Sequence, residues 1–206
     1  MKKAFRFFAI AAIAFGMTMA VSCKPDEGDD NGNNDNGPEV LIDEAFENGI
    51  PSDWSNIDAD GDGYTWCLPT AWNAPSDNLG VNSTVCVCSE SFHNPTSQAL
   101  TPDNYLVTPV LNLAGEYTLT WQVCAQDASY AADHYAVLVG TVENGVFVAK
   151  GTLFEESITA AKAQGAWLSR SASLKDYKGQ KLSVAFRHYN CTDMFVMNLD
   201  NVKIAK

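Results

Sequence analysis

The stretch at residues 181–188 reads KLSVAFRH, and this alternating run decides the fold class. In an extended chain Leu182, Val184 and Phe186 point to one side, while Arg187 points to the other. A period of two residues is typical of a strand with one buried face and one face in water. The run therefore predicts a strand of an antiparallel sheet.

Six further runs show the same short alternation between turn residues, and no stretch carries a long apolar repeat at helical spacing. The turn Glu143-Asn144-Gly145 predicts a hairpin, because Asn and Gly tolerate positive φ. A short helix is predicted within Ser157–Gln164. About ten strands in a domain of this length favour an all-β, two-sheet antiparallel jelly-roll β-sandwich over a small barrel. The six runs are Val40–Phe46, Thr84–Ser89, Tyr117–Ala125, His134–Thr141, Val146–Phe154 and Leu199–Ile204.

The first 38 residues have a different composition from the rest of the chain. Residues 1–22 join a basic start to a short apolar run and small residues, which predicts a secretory signal peptide. The stretch Ala20-Val21-Ser22-Cys23 resembles a bacterial lipobox and predicts lipid attachment at Cys23, with ordinary signal cleavage or a structural cysteine as the alternatives. Residues 23–38 are rich in Asp, Asn and Gly, which predicts a disordered acidic tether. Residues 39–206 are long enough for a single domain with its own core.

The net charge of the chain and the composition of the tether limit where the protein is located and what it binds. The formal net charge is −12, and removal of residues 1–22, which carry three of the positive charges, would leave −15. Nucleic acid is therefore excluded as a partner. The acidic start of the tether resembles the surface-export signal of some Gram-negative lipoproteins. We expect a lipid-anchored protein of the outer membrane at the cell surface, with the periplasmic face as the alternative and the lipid as the only membrane contact.

Five cysteines remain beside Cys23, and an odd number leaves at least one outside any disulfide. Cys86 and Cys88 are two residues apart in a predicted strand and share one face. The spacing of cysteines and histidines does not suggest zinc. Buried thiols are expected, with one or two disulfides left open. The five are Cys67, Cys86, Cys88, Cys124 and Cys191.

The most chemically specific segment is the loop DADGDG at residues 58–63. It places Asp58, Asp60 and Asp62 at every second position, with glycines that let the backbone wrap around a cation. Crowded carboxylates repel one another unless a metal ion neutralises them. The start matches an EF-hand loop, but Pro69 occupies the twelfth position and supplies no carboxylate. We therefore predict a Ca²⁺ site, rather than Mg²⁺, that is closed by a ligand from elsewhere in the fold.

Glu47 and Asp200 are the leading candidates for the closing ligand, because an antiparallel sandwich commonly brings its first and last strands together. Asp43, Asp53 and backbone carbonyl groups remain alternatives. A polar turn that binds no metal is the simplest alternative for the loop itself.

Six segments, in order along residues 40–206, are similar to the cleaved adhesin domains of gingipains and related haemagglutinins. The resemblance implies a calcium-binding jelly roll of the galactose-binding or MAM-like kind that serves adhesion to host proteins, red cells or haem. It also implies that Glu47, the Asp58–Asp62 loop and Asp200 lie near calcium. Modules of that family are repeats behind a protease, whereas this chain carries one module. The segments are AFENGIPSDW (45–54), IDADGDGYTW (57–66), PDNYLVTP (102–109), DHYAVLV (133–139), FRHYNCTDMF (186–195) and LDNV (199–202).

A catalytic set is not recognisable in the sequence. His93, His134 and His188 fall in separate segments, and neither a G-x-S-x-G motif nor a Cys-His signature is present. We therefore expect no enzymatic activity.

Three side chains are candidate ligand contacts. Arg187 and His188 lie near the end of a predicted strand, where a packed strand end with a solvated arginine is the alternative. Trp72 lies in a predicted loop and is the best candidate among the tryptophans for stacking on a sugar ring, whereas Trp121 is expected in the core.

The leading functional hypothesis is a cell-surface lipoprotein whose calcium-stabilised, adhesin-like domain binds host proteins, glycans or haem. One alternative is a carbohydrate-binding module of a glycan-uptake system, which would cluster aromatic and polar side chains on one sheet face. Another is a structural subunit of a surface assembly, which would present an exposed strand edge or apolar patch.

Overall fold

The computed structural model describes residues 38–69, 85–158 and 167–206. No helix in these ranges is long and apolar enough to cross a bilayer. The chain forms thirteen strands there, together with short 3-10 helical turns. The strands are β1 Val40–Glu44, β2 Ser55–Asp58, β3 Val87–Glu90, β4 Phe92–His93, β5 Gln98–Ala99, β6 Asp103–Val107, β7 Leu111–Asn112, β8 Thr118–Ala125, β9 His134–Glu143, β10 Val146–Ser157, β11 Leu168–Ser173, β12 Lys181–Tyr189 and β13 Val196–Ala205.

Two antiparallel sheets contain almost all of these strands. The five-stranded sheet has the order β1-β13-β8-β11, with β3 paired to the first half of β13. The six-stranded sheet has the order β10-β9-β12-β6-β2, with β7 paired to the start of β12. Strands β4 and β5 form a separate ribbon. The prediction of an all-β, two-sheet antiparallel architecture is confirmed.

Local predictions also agree with the described residues. Each of the seven predicted strands overlaps an observed one, although Thr84 lies outside the described residues. The predicted hairpin joins β9 to β10, with Asn144 at φ 52° and Gly145 at φ 81°. Of the predicted helix, Ser157 instead ends β10, and residues 159–166 lie outside the described ranges.

The main core lies between the two sheets. Trp121 of β8 packs edge-on against Phe154 of β10 and Phe186 of β12, with ring centroids 5.2 and 5.9 Å apart. Its indole nitrogen donates to the hydroxyl of Tyr135 at 3.1 Å, so the polar atom of this buried ring is satisfied. Trp121 of the five-stranded sheet thus packs against three aromatic side chains of the six-stranded sheet.

The outer side of the six-stranded sheet is less exposed to solvent than the alternation in β12 predicts. Ser183 and Ala185 point away from the main core, yet both are buried. Ala185 belongs to a second apolar cluster, which also contains Val107 of β6, Ala136 of β9 and Phe147 of β10. The expectation of a wet face is therefore wrong for the middle of β12 and holds only near its ends, because side chains of neighbouring strands cover the centre.

Gly140 of β9 tests how tightly β9 and β10 pack. A Cβ atom there would lie 2.2 Å from the carbonyl oxygen of Val148 and 2.8 Å from the Phe147 ring. We expect Gly140→Ala to lower the free energy of unfolding by about 1–3 kcal/mol, measured by chemical denaturation. Gly115→Ala is the control, because its closest neighbour is the flexible end of the Lys206 side chain, which can move aside. Equal losses in the two variants would contradict the expectation.

Candidate functional site

The acidic loop, Asp58–Gly63, begins where β2 ends at the edge of the six-stranded sheet. The amides of Gly61 and Gly63 donate to the two carboxylate oxygens of Asp58 at 2.7 and 2.9 Å. The amide of Tyr64 donates to Asp62 at 2.8 Å. Gly61 and Gly63 have φ values of 75° and 89°, which other residues rarely adopt. Backbone amides of the loop thus hold its conformation by donating hydrogen bonds to the loop's own carboxylates.

Oxygen atoms of Asp58, Asp60 and Asp62 all lie within 4.8 Å of one another. Burial opposes ionisation of Asp58, but hydrogen bonds from Gly63, Asp60 and Gly61 outweigh it and lower the pKa of this carboxyl. Loss of hydration, a hydrogen bond with Asp58 and the charge of Asp62 raise the pKa of Asp60 to about 6. A cluster of oxygen donors that repel one another is the donor set that fits Ca²⁺.

The two predicted closing ligands do not belong to this group of converging oxygens. Glu47 is exposed in the turn after β1. Asp200 is fully buried in β13, where it accepts a hydrogen bond from the amide of Asn201 at 2.7 Å. Its charge adds to burial in raising the pKa values of the Cys86 and Cys124 thiols. The structure therefore brings together three of the five predicted calcium ligands.

A second feature, the tyrosine–arginine face, lies on the outer side of the six-stranded sheet and comprises Asp103, Tyr105, Phe147, Arg187 and Tyr189. The Arg187 guanidinium lies over the Tyr189 ring at 4.0 Å and over the Tyr105 ring at 5.0 Å. Its Nε and Nη2 atoms donate to the two Asp103 oxygens at 2.7 and 2.8 Å. Two cation–π contacts and a bidentate ion pair hold this arginine in one orientation.

The tyrosine–arginine face has further polar groups at its border and adjoins the acidic loop. The Tyr189 hydroxyl donates to Glu155 of β10 at 2.5 Å, and the His134 ring lies 5.0 Å from the Tyr189 ring. The backbone oxygen of Asp103 accepts from the amide of Ala59 at 3.0 Å, so the acidic loop starts beside this face. The Arg187 side chain keeps 28% of its surface exposed, which leaves it accessible to a ligand. Of the predicted contacts, Arg187 thus stays partly exposed, while its guanidinium also packs on two rings and pairs with Asp103.

His188 is fully buried and therefore cannot contact a ligand at the surface. Its Nε2 atom lies 3.2 Å from both Asp133 Oδ1 and Cys191 Sγ, and its Nδ1 atom lies 2.8 Å from Ser89 Oγ. Burial opposes the charged form, but hydrogen bonds with Asp133 and Cys191 outweigh it and raise the pKa of His188 to about 9. Sequence reasoning missed this cluster, although the H-x-x-C spacing of residues 188–191 was a signal for it.

The remaining predicted positions lie outside the described residues. They are Cys23 with the signal and tether segments around it, and Trp72 in its loop.

A polar groove of about 510 Å³, also missed from the sequence, lies along the five-stranded sheet. Thr120, Gln122, Ser169 and Asn201 line it. Asp43, Arg170 and Lys203 line it as well, so the groove offers charged groups beside hydroxyl and amide groups, whereas the tyrosine–arginine face combines paired charges with aromatic rings.

One domain family matches this chain over most of its length. The model of the Cleaved Adhesin Domain matches residues 39–204. Gingipain R1 of Porphyromonas gingivalis is 45% identical over 175 residues, which are 80% of this chain and 10% of that protein. Hemagglutinin A of Porphyromonas gingivalis W83 is 43% identical over 183 residues, which are 83% of this chain and 8% of that protein. The chain thus spans a tenth or less of the length of these relatives.

A solved structure supports the same relationship. The crystal structure of the K1 cleaved adhesin domain of Lys-gingipain from Porphyromonas gingivalis W83 has a TM-score of 0.70 to this chain at 47% identity. The match covers 79% of this chain and 96% of that domain. Both the family resemblance and the jelly-roll sandwich predicted from the sequence are confirmed.

The acidic loop makes a prediction about pH in the absence of divalent cations. The pKa of Asp60 is about 6 in the folded protein, against about 3.9 for a free carboxyl. Protonation of Asp60 therefore stabilises the fold; this contribution is complete below the unfolded pKa and is lost as pH rises through about 6. We expect Asp60→Asn to melt at a higher temperature than the wild type at about pH 7, and the difference to vanish near pH 4.

Thermal unfolding with a chelator over this pH range measures the difference. Asp176→Asn is the control, because it removes the same charge from an exposed 3-10 turn between β11 and β12. A difference that stays constant with pH would contradict the assignment of the shift to Asp60.

Proposed function

The chain belongs to the cleaved adhesin domain family, and we propose that it is the binding domain of a lipoprotein attached through Cys23 to the outer membrane at the cell surface. The domain binds a host protein or a glycan, and it performs no chemistry on that ligand. The observation that carries this proposal is the contact of the Arg187 guanidinium with the Tyr105 and Tyr189 rings, together with its ion pair to Asp103. We assign ligand contact to the tyrosine–arginine face.

The physical basis is preorganisation. Tyrosine and arginine are among the residue types that most often carry the binding energy of an interface. A flexible arginine normally loses side-chain entropy when it is immobilised on binding. Here Arg187 is already fixed by two rings and a bidentate ion pair, so a ligand meets a surface that needs little further ordering. Binding through this face therefore loses less free energy to the ordering of side chains.

The alternative of a carbohydrate-binding module draws on the same face. Aromatic rings pack against the C–H faces of sugar rings, and carboxylates accept hydrogen bonds from sugar hydroxyls. Tyr105 and Tyr189 supply rings, and Asp103 and Glu155 supply carboxylates beside them. A glycan ligand would thus be recognised here by stacking and by hydrogen bonds together.

A structural role in a surface assembly has one observation in its favour. Strand β10 forms an edge of the six-stranded sheet and exposes Val146 and Val148. However, its pairing with β9 shifts register after Ala149 and after Thr152, and such irregularities discourage pairing with another chain. This alternative therefore ranks below ligand binding.

We further propose that the acidic loop binds Ca²⁺ through Asp58, Asp60 and Asp62, with the closing ligand supplied by Glu47, Asp200 or a backbone carbonyl. The ion would supply positive charge that cancels the repulsion among the carboxylates. Because Ala59 donates to the backbone of Asp103, a fixed loop also holds the neighbouring tyrosine–arginine face. Calcium would thus fix the conformation of the loop and would take no part in catalysis.

Arg187→Gln tests the binding proposal. Immobilised glycans, extracellular host proteins, intact red cells and haem are the probes, first applied to the wild type in calcium. For whichever probe binds, we expect the variant to bind about tenfold or more weakly, because it loses both the ring contacts and the ion pair. Circular dichroism and thermal unfolding confirm that the variant is folded.

Lys181→Gln is the matched control, because it removes the same charge from the exposed start of the same strand, about 20 Å away. Equal weakening in both variants would mean that only overall charge matters and would reject the tyrosine–arginine face. Binding that Arg187→Gln leaves unchanged would reject it as well.

Calcium binding is tested by thermal unfolding. A ligand present at a hundred times its dissociation constant stabilises the folded state by about 2.7 kcal/mol, which is about 5–10 °C for a domain of this size. We expect that rise with Ca²⁺ for the wild type and for Asp176→Asn, and its loss in Asp62→Asn. An equal rise in Asp62→Asn would place the ion elsewhere.

A further inference from the structure

We propose that Asp133, His188 and Cys191 form a binding site for a transition-metal ion of the zinc type, separate from the acidic loop. The three side chains come from two parts of the chain that meet in the fold. Asp133 directly precedes β9, His188 lies near the end of β12, and Cys191 follows in the next turn. One ligand atom of each lies within 4.8 Å of those of the other two.

The distances fit tetrahedral coordination. Zinc bonds nitrogen and oxygen at about 2.0 Å and sulfur at about 2.3 Å, which separates neighbouring ligand atoms by about 3.3–3.6 Å. Nε2 of His188 lies 3.2 Å from the Asp133 oxygen and 3.2 Å from the Cys191 sulfur. These two separations are within a few tenths of an ångström of the tetrahedral values, and the Asp133 oxygen and the Cys191 sulfur lie within 4.8 Å of each other.

Neighbouring hydrogen bonds orient the ligands for this role. Ser89 Oγ accepts from the Asn104 amide at 3.3 Å and lies 2.8 Å from His188 Nδ1. An Nδ1–H that donates to this oxygen leaves the Nε2 lone pair facing Asp133 and Cys191. Metal-bound histidines are usually held by such a bond from their other nitrogen. Ser91 likewise donates to Asp133 Oδ1 at 2.5 Å.

An unsatisfied atom supplies an independent indication of a ligand. Asp133 is fully buried, and its second oxygen, Oδ2, accepts no hydrogen bond. A buried carboxylate oxygen without a partner lowers the stability of the fold, because it has lost its hydration without gaining a hydrogen bond. The three converging groups are a carboxylate, an imidazole nitrogen and a sulfur, and a cation bound to both Asp133 oxygens would also give Oδ2 a partner. A proton on Nε2 pairs with Oδ1 and Cys191 but leaves Oδ2 without a partner.

Access and donor chemistry select the type of ion. Cys191 is half-buried and lines a surface depression of about 310 Å³ with Thr101, Pro102 and Asn190. An ion can enter from this side, and a water molecule can take the fourth position. Thiolate and imidazole ligands favour zinc and related metals over Ca²⁺ and Mg²⁺, which prefer oxygen. The acidic loop and this cluster therefore select different ions.

The proposed site lies where a contact between Ser89 and His188 already joins the two sheets at one end of the sandwich. Ser89 belongs to the five-stranded sheet, while His188 belongs to the six-stranded sheet. Asn104 is the register partner of both Asp58 and His188, so the proposed ion would lie two strands from the acidic loop. The metal would stabilise the same end of the fold that carries the acidic loop.

Titration of the purified protein with Co²⁺ tests the site, with excess Ca²⁺ present to occupy the acidic loop and a phosphine reductant to keep thiols reduced. We expect one equivalent to bind with a thiolate-to-cobalt charge-transfer band in the near ultraviolet and with visible bands of tetrahedral intensity. Zinc should displace the cobalt and raise the melting temperature.

Cys191→Ser is the decisive variant, because Cys191 is partly exposed and its change leaves the core intact. We expect this variant to lose the charge-transfer band, and Asp133→Asn to bind cobalt about tenfold or more weakly. Cys67→Ser, which alters another half-buried thiol outside the cluster, should keep the full band. Absence of the band in the wild type, its persistence in Cys191→Ser, or its loss in Cys67→Ser would each overturn the proposal.

Discussion

The register of β12 between β9 and β6 is the constraint on which the rest of the structure depends. Phe186 pairs with Val137 and Leu106, and this pairing points its ring into the core against Trp121. The next residue, Arg187, must then face outward, and His188 must face inward again. Three consecutive residues thus serve the core, the tyrosine–arginine face and the buried cluster. A slip of one residue would place a cation in the core and a phenyl ring on the surface.

Much of the fold was readable because it rests on local patterns. Alternation identified seven strands, and the Asn-Gly pair identified the β9–β10 hairpin. Strand β11, with the sequence LSRSAS, was missed because only Leu168 and Ala172 mark a buried side. It is a strand because β8 offers it a full set of partners, from Leu168 opposite Val123 to Ser173 opposite Thr118. Such pairing is a property of the folded sheet and leaves little trace in the strand itself.

The candidate sites likewise divide into parts that a local sequence pattern reveals and parts that only the folded chain brings together. The acidic loop was visible because its three carboxylates lie within five residues of one another. Arg187 meets Asp103 across 84 positions of chain, and His188 meets Asp133 across 55. Spacing rules for metal ligands do not reach that far, although the alternation already placed His188 on the side of Phe186. The prediction that His188 contacts a ligand at the surface conflicted with this alternation and is wrong, because the side chain is buried.

The pairing of the first strand with the last has a mechanical consequence. Val40 of β1 lies opposite Ala205 of β13, and the Lys206 amide donates to the Glu39 carbonyl, so the chain enters and leaves the domain at one corner. Tension on the N-terminal segment is therefore carried by the hydrogen bonds between β1 and β13. These bonds run across the strands, so a pull along β1 loads all of them at once, while a sideways pull opens them one after another. The direction of pulling thus sets the force at which the domain opens.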